Sequence, residues 1–328
     1  FGSYTRPSQL RELNPLTGED RLLKRATVLN YDETAYAERR LWVTVRDGVR
    51  VPVSLVWKRG LVPALDAWPA DRSELTAPEL SAMYAVQERE SPSEAAPMFI
   101  TGYGSYESSM GPGMSVARPS MLDRGVIFAT AHIRGGGEMG RAWYEQGRRL
   151  NKINTFYDFI DVTAALQHAG IADAHRTVAN GGSAGGLLMG AVANMAPFLY
   201  AGIEADVPFV DALTSILDES LPLTVTEWDE WGDPLHNAQV YDYMKSYTPY
   251  ENVMSAQQRA DTFGTDYFPV IFITTSMNDT RVLYVEPLKW ISRLNEPEVA
   301  AEAFAKIEVE AGHGGVSGRY KQWEEVSL

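Results

Sequence analysis

The sequence predicts an α/β fold with a mostly parallel central sheet, and three observations predict it. From about residue 97 onward, short apolar runs alternate with segments of helical periodicity. The runs are apolar throughout, as strands covered on both faces are. One of them, Thr177-Val178-Ala179, crosses the glycine knot Asn180-Gly181-Gly182-Ser183-Ala184-Gly185-Gly186 directly into the apolar helical stretch Leu187-Leu188-Met189. On such a sheet ligands bind beyond the carboxyl ends of the strands.

The chain has 328 residues, enough for one large α/β domain or two ordinary ones. Its hydrophobic content of 45% and charged content of 22% place it with globular proteins rather than disordered ones. The net charge of −14 speaks against nucleic acid as a partner, because phosphate binding needs clustered Lys and Arg. It is compatible with a cationic substrate. There are no cysteines, which removes disulfides, thiolate catalysis and Cys-based zinc sites. No apolar run approaches membrane-span length. Phe1-Gly2-Ser3-Tyr4 shows no basic region followed by an apolar core, and the expectation is a cytoplasmic protein.

Residues 1–38 read as a short polar hairpin, with Leu10, Leu13, Leu22 and Leu23 flanking the turn-like Asn14-Pro15-Leu16-Thr17-Gly18. They are expected to stand apart from a catalytic domain over 39–328. Arg40 to Trp57 is a clear β-hairpin. Leu41, Val43 and Val45 alternate with polar residues, Asp47-Gly48 turns, and Val51, Val53 and Leu55 alternate again. Residues 61–97 are rich in Pro, Ala and Glu. They read as a surface insertion with one short amphipathic helix, capped by Thr76 and Glu79, with Leu80, Met83, Tyr84 and Gln87 on one face. Strands follow at Met98–Ile100 and Val126–Ala131, then a helix from Thr155 to His168 stopped by Gly170. After the Ser183 strand and helix come strands at Ala201–Val207, Val270–Thr275 and Lys306–Val309. An amphipathic helix opening at Pro287 precedes the last of these.

Gly181, Ser183 and Gly185 fit G-x-S-x-G, the nucleophile elbow of α/β-hydrolases. A serine on a sharp strand-to-helix turn needs neighbours without bulk, and the following helix points its free N–H groups at the serine. Such a serine needs a histidine base and a carboxylate to orient it, in the chain order Ser, acid, His. Of five histidines, His132, His168 and His175 precede Ser183. His236 lies in a loop. His313 lies just past the last apolar run, flanked by Gly312 and Gly314. Asp279 closes the preceding strand segment, with Asp206 and Asp211 as weaker alternatives. One oxyanion donor is the Ala184 N–H. The other comes from Gly102-Tyr103-Gly104, as the Tyr103 hydroxyl or a backbone N–H. This chemistry calls for no cofactor and no metal. The run Glu227-Trp228-Asp229-Glu230-Trp231 reads either as a solvated acidic loop or as a pocket for a guanidinium or ammonium group.

Several stretches together resemble the oligopeptidase B branch of the prolyl oligopeptidase family of serine peptidases. They include Gly102–Glu107, Ala131–Gly140, Gly181–Gly190, Val207–Asp211, Glu227–Pro234, Asn278–Val282 and Ala311–Gly315, in the family's order. The resemblance implies an α/β-hydrolase that cuts short peptides after Arg or Lys through an acyl-enzyme. It implies a triad of Ser183, Asp279 and His313, with Tyr103 at the oxyanion. Glu227 and Asp229 would receive the basic side chain, Arg281 would contact the substrate backbone, and Phe209 would line the substrate site. The family carries a seven-bladed β-propeller, of which residues 1–38 would be the end of a blade and the linker. A propeller domain or chain is then an expected partner. Trp228 stands where phenylalanine is common, Asp229 is shorter than the usual glutamate, and Thr280 replaces a common proline. Two other readings keep the same residues: an esterase or thioesterase, and an inactive fragment that acts as a structural partner.

Overall fold

The computed structural model describes residues 1–315. The N-terminal leucines fall on an antiparallel pair, β1 (Gln9–Leu13) and β2 (Asp20–Arg25), that forms a sheet of its own. Every residue of β2 is exposed, and cross-strand pairs Arg11–Asp20 at 2.9 Å and Arg21–Glu12 at 2.6 Å decorate it.

The predicted hairpin is β3 (Tyr36–Thr44) and β4 (Arg50–Lys58), in register from Tyr36 opposite Lys58 to Thr44 opposite Arg50. Strand alternation sorts β4 between two cores. Val51, Val53 and Leu55 enter the main core, while Val56 joins a smaller cluster with Tyr4, Tyr36 and Leu122. That smaller cluster anchors the N-terminal segment to the domain.

The 61–97 segment differs from expectation. Glu74–Thr76 forms β5, which pairs in parallel with β3. Thr76 therefore belongs to a strand and caps nothing. In place of one amphipathic helix there are two 3-10 turns, Leu80–Met83 and Val86–Glu88, separated by Ala85 at φ 56°. A left-handed residue between them breaks the helical ladder. Leu75 and Met83 are buried, and Tyr84 packs edge-on against Phe198 and Phe263.

The remaining strands are β6 (Ala96–Thr101), β7 (Ile127–Ala131), β8 (Ala172–Gly182), β9 (Gly202–Asp206), β10 (Val270–Ser276) and β11 (Ala303–Glu308). Among the described residues the large sheet has nine strands in the order β11-β10-β9-β8-β6-β7-β4-β3-β5. All pairings from β11 to β7 are parallel, and β7–β4 and β4–β3 are antiparallel. The strand order reverses direction between β6 and β8, which is where α/β sheets place their sites.

Helices Ile153–His168 and Ala184–Met195 bury Phe156, Phe159, Ile160, Leu187 and Leu188 in the main core. The predicted C-terminal helix spans Val285–Leu294, with Pro287 in its first turn. No described helix is long and apolar enough to cross a membrane.

Candidate active site

Ser183 sits between the end of β8 and the helix Ala184–Met195, at φ 58° and ψ −119°. A non-glycine residue held there stores strain of about 1–3 kcal/mol, which the surrounding packing must hold. Its N–H donates to the Asp206 carbonyl at 2.8 Å, and its carbonyl accepts from Phe209 N–H at 3.1 Å. The elbow glycines answer to close approach. A Cβ on Gly181 would lie 2.5 Å from the Gly185 carbonyl oxygen, and one on Gly186 would strike Pro208.

His313 and Asp279 converge on this serine because β10 and β11 are parallel neighbours. His313 Nε2 is 3.1 Å from Ser183 Oγ, and His313 Nδ1 is 2.7 Å from Asp279 Oδ2. Asp279 is buried, and its other oxygen accepts from the N–H groups of Arg281 and Val282 at 2.8 and 2.9 Å. Both carboxylate oxygens are thus committed. The imidazole is held with Nδ1–H toward Asp279 and its Nε2 lone pair toward Ser183. The two loops are stitched together: Met277 N–H donates to the Glu308 carbonyl at 2.8 Å, Asn278 Nδ2 to the Val309 carbonyl at 2.9 Å, and Ser276 Oγ to the Ala311 carbonyl.

The alternatives fall elsewhere. His236 is exposed and pairs with Asp233 at 2.9 Å. Asp206 accepts from Thr274 Oγ1 at 2.7 Å and Asn180 Nδ2 at 3.0 Å, and Asp211 pairs with Lys289.

Ala184 opens its helix, so its N–H has no intrahelical partner and lies beside the nucleophile. Tyr103 shares the pocket with Ser183 and Ala184. Burial pushes its phenol up, the Glu230 carboxylate adds to this, and its hydrogen bond with Ser183 opposes it. A neutral phenol beside the serine is the form that can donate to an oxyanion.

The pocket in front of Ser183 has a volume of about 390 Å³. Glu227, Phe209 and Arg281 line it. Glu227 Oε2 accepts from the Tyr106 hydroxyl and from Trp231 Nε1, each at 2.7 Å. Phe209 is buried, with its ring 5.6 Å from that of Trp231. Asp229 is not brought to the pocket, which corrects its pairing with Glu227. Its carboxylate faces outward to Arg148 at 3.3 Å and to Arg149. Residues two apart on a helix do not share a face. The inward carboxylate next to it is Glu230, which accepts from Tyr106 N–H at 3.0 Å and from the Tyr144 hydroxyl at 2.5 Å.

Tyr106 and Glu286 are among the pocket residues that were not anticipated as site residues. Tyr106 lies within a stretch already singled out for Tyr103, three positions away. Glu286 has no signal in the sequence, being one acid in an amphipathic helix.

A strained serine on a strand-to-helix elbow, with its histidine and aspartate delivered by neighbouring parallel strands, defines a serine hydrolase of the α/β-hydrolase fold. The profile of the prolyl oligopeptidase family matches residues 112–328. The chain belongs to that family. It is 43% identical over 327 residues to dipeptidyl aminopeptidase BI of Pseudoxanthomonas mexicana, covering 99% of this chain and 40% of that protein. It is 40% identical over 329 residues to protease 2 of Moraxella lacunata, covering 100% of this chain and 42% of that protein. Among solved structures, oligopeptidase B from Leishmania major superposes with a TM-score of 0.81 at 36% identity, covering 99% of this chain and 40% of that one. Oligopeptidase B from Trypanosoma brucei with covalently bound antipain gives 0.80 at 36% identity, covering 99% of this chain and 41% of that one. The chain thus spans about two fifths of the length of these relatives.

Proposed function

We propose that the protein hydrolyses short peptides on the carboxyl side of Arg or Lys through an acyl-enzyme on Ser183. The observation that carries this reading is Glu227, a carboxylate on the wall of the pocket that also contains Ser183. Its Oε2 is fixed by Tyr106 and Trp231, which leaves Oε1 for a substrate cation. Phe209 and Tyr106 add aromatic surface to the same pocket, suited to the stem and charge of a basic side chain.

In this mechanism His313 takes the Ser183 proton as Oγ attacks the scissile carbonyl. Asp279 stabilises the imidazolium that forms. Ala184 N–H and the Tyr103 hydroxyl receive the oxyanion. His313 returns the proton to the leaving amine, and water then hydrolyses the ester by the reverse path. In this reading Arg281, exposed at the pocket rim with its backbone tied to Asp279, contacts the substrate backbone.

Residues 1–35 fit the same reading as the end of a propeller blade and its linker, whereas Tyr36–Glu38, expected on that side of a boundary at 38, already belong to β3 of the large sheet. Their hairpin exposes Leu10, Leu13, Leu22 and Leu23 to solvent, a surface suited to contact with a propeller domain or chain. Such a partner would restrict access to short peptides.

The test is kcat/KM for matched peptide amides carrying Arg, Lys, citrulline or norleucine before the scissile bond. Arg and Lys should exceed the two neutral residues by at least about 100-fold, the worth of a desolvated charge-assisted contact. Equal rates would overturn the specificity, and turnover of simple esters without amides would support an esterase instead.

A further inference from the structure

Glu286 lies in the first turn of the helix Val285–Leu294 and is 2% exposed, yet it lines the same pocket as Ser183 and Glu227. Its Oε2 accepts from Asp211 N–H at 3.0 Å and its Oε1 from Ser215 Oγ at 2.6 Å. A carboxylate has about four acceptor sites, so each oxygen keeps capacity for another donor.

The charges around it are unbalanced. Asp211, which leads into the helix Ala212–Leu217, is paired with Lys289 on Glu286's own helix. Glu251, on the 3-10 turn Tyr250–Asn252, has one carboxylate oxygen buried without a partner among the described residues. The Tyr250 ring lies 4.5 Å from the Lys289 ammonium. Three carboxyl groups thus gather around one ammonium, with Arg281 at the pocket rim and Glu227 reaching the pocket from another helix. Burial pushes the Glu286 carboxyl up to about 7; the Asp211 charge adds to this, while Ser215, the Asp211 N–H and Lys289 oppose it. The Glu251 carboxyl is also raised, chiefly by burial.

We propose that Glu286 is a second carboxylate of the substrate pocket, sharing with Glu227 the recognition of a cationic side chain. The inference rests on the basic-residue reading above and adds a specificity-determining residue to it. When an ammonium or guanidinium enters, it supplies the missing positive charge. A Glu286 that was protonated then releases its proton to solvent and becomes the ionised partner. Below neutrality this proton competes with the substrate cation; above it the site is ready charged.

Glu286→Gln separates this role from a structural tie. The Gln carbonyl can still accept from Asp211 N–H, and its amide can donate to the Ser215 hydroxyl, so the shape is kept while the titration is lost. For wild type, KM for an Arg amide should fall about fivefold to tenfold from pH 6 to pH 8, while KM for the citrulline analogue stays flat. In Glu286→Gln the Arg KM should be flat over the same interval. Calorimetry of benzamidine binding at pH 6.5, in two buffers of different ionisation enthalpy, should show proton release from wild type and none from the variant. Should the variant not fold, wild type alone decides: release at pH 6.5 that vanishes by pH 9 supports the proposal, and no release at pH 6.5 overturns it. A variant that keeps the wild-type KM profile or proton release also overturns it. Those outcomes leave basic specificity standing. Equal cleavage after Arg and citrulline, with no benzamidine binding, overturns the basic-residue reading and this inference with it.

Discussion

Glu227 and Asp229 stand two residues apart on the helix Thr224–Trp231 and point in opposite directions. Glu227 faces the pocket, held by Tyr106 and Trp231, while Asp229 faces solvent and the guanidinium groups of Arg148 and Arg149. Helical geometry sets residues at i and i+2 about 200° apart, so one helix cannot present both carboxylates to a single ligand.

The two are therefore expected to behave differently on substitution. Glu227→Gln should lower kcat/KM for Arg and Lys amides by about 100-fold and leave neutral substrates nearly unchanged. Asp229→Asn should change either class by less than about threefold, because it breaks only exposed ion pairs. Parallel kinetics on the two variants check this; equal losses would contradict the assignment.

Asp279→Asn tests the orientation of the imidazole. The Arg281 and Val282 N–H groups can still hold one oxygen, so the loop should keep its place. The amide would then present N–H to His313 Nδ1 and favour the wrong tautomer. We expect kcat to fall by about 10³- to 10⁴-fold with an unchanged circular dichroism spectrum.

The elbow glycines should divide into two classes. Gly186→Ala would press its Cβ into Pro208, and a loss of about 2–4 kcal/mol of stability is expected. Gly182→Ala meets Asp206 atoms at no less than 3.4 Å and should cost under about 1 kcal/mol. Denaturant unfolding of both variants compares them directly.

Glu204 predicts a pH dependence of stability. Burial first, and then the neighbouring Asp206 charge, push its carboxyl up to about 7, with Asn180 opposing. Between the ordinary carboxyl range and pH 7 the folded state binds more protons than the unfolded one, so stability falls as pH rises. The contribution is full below about pH 4.5 and gone above about pH 7. Glu204→Gln should match wild type near pH 4.5 and exceed it by about 1–2 kcal/mol at pH 8. Thermal unfolding at the two pH values measures the difference.

Much of the triad was legible because a parallel sheet turns chain order into geometry. Glycines on both sides marked Ser183, and the ends of later strands, in the right chain order, marked Asp279 and His313. The Asp229 direction was not legible, because it depends on helix phase. With Trp228 and Trp231 both able to face inward, the pattern does not fix which side is buried. Glu286 was hidden for a different reason. Its role comes from the N–H of Asp211, 75 residues away in the chain, and nothing local distinguishes it from a surface glutamate. Thr76 carried, with Glu79, the letters of a capping box but was recruited into the edge strand β5, where pairing with β3 outweighs a local helix preference.

The most direct test of the central claim is active-site titration with p-nitrophenyl p′-guanidinobenzoate, a cationic acylating ester. The account predicts a stoichiometric burst of nitrophenolate and a guanidinobenzoyl adduct on the peptide bearing Ser183, both absent from Ser183→Ala. No burst from the wild-type protein, or an adduct on another residue, would contradict it.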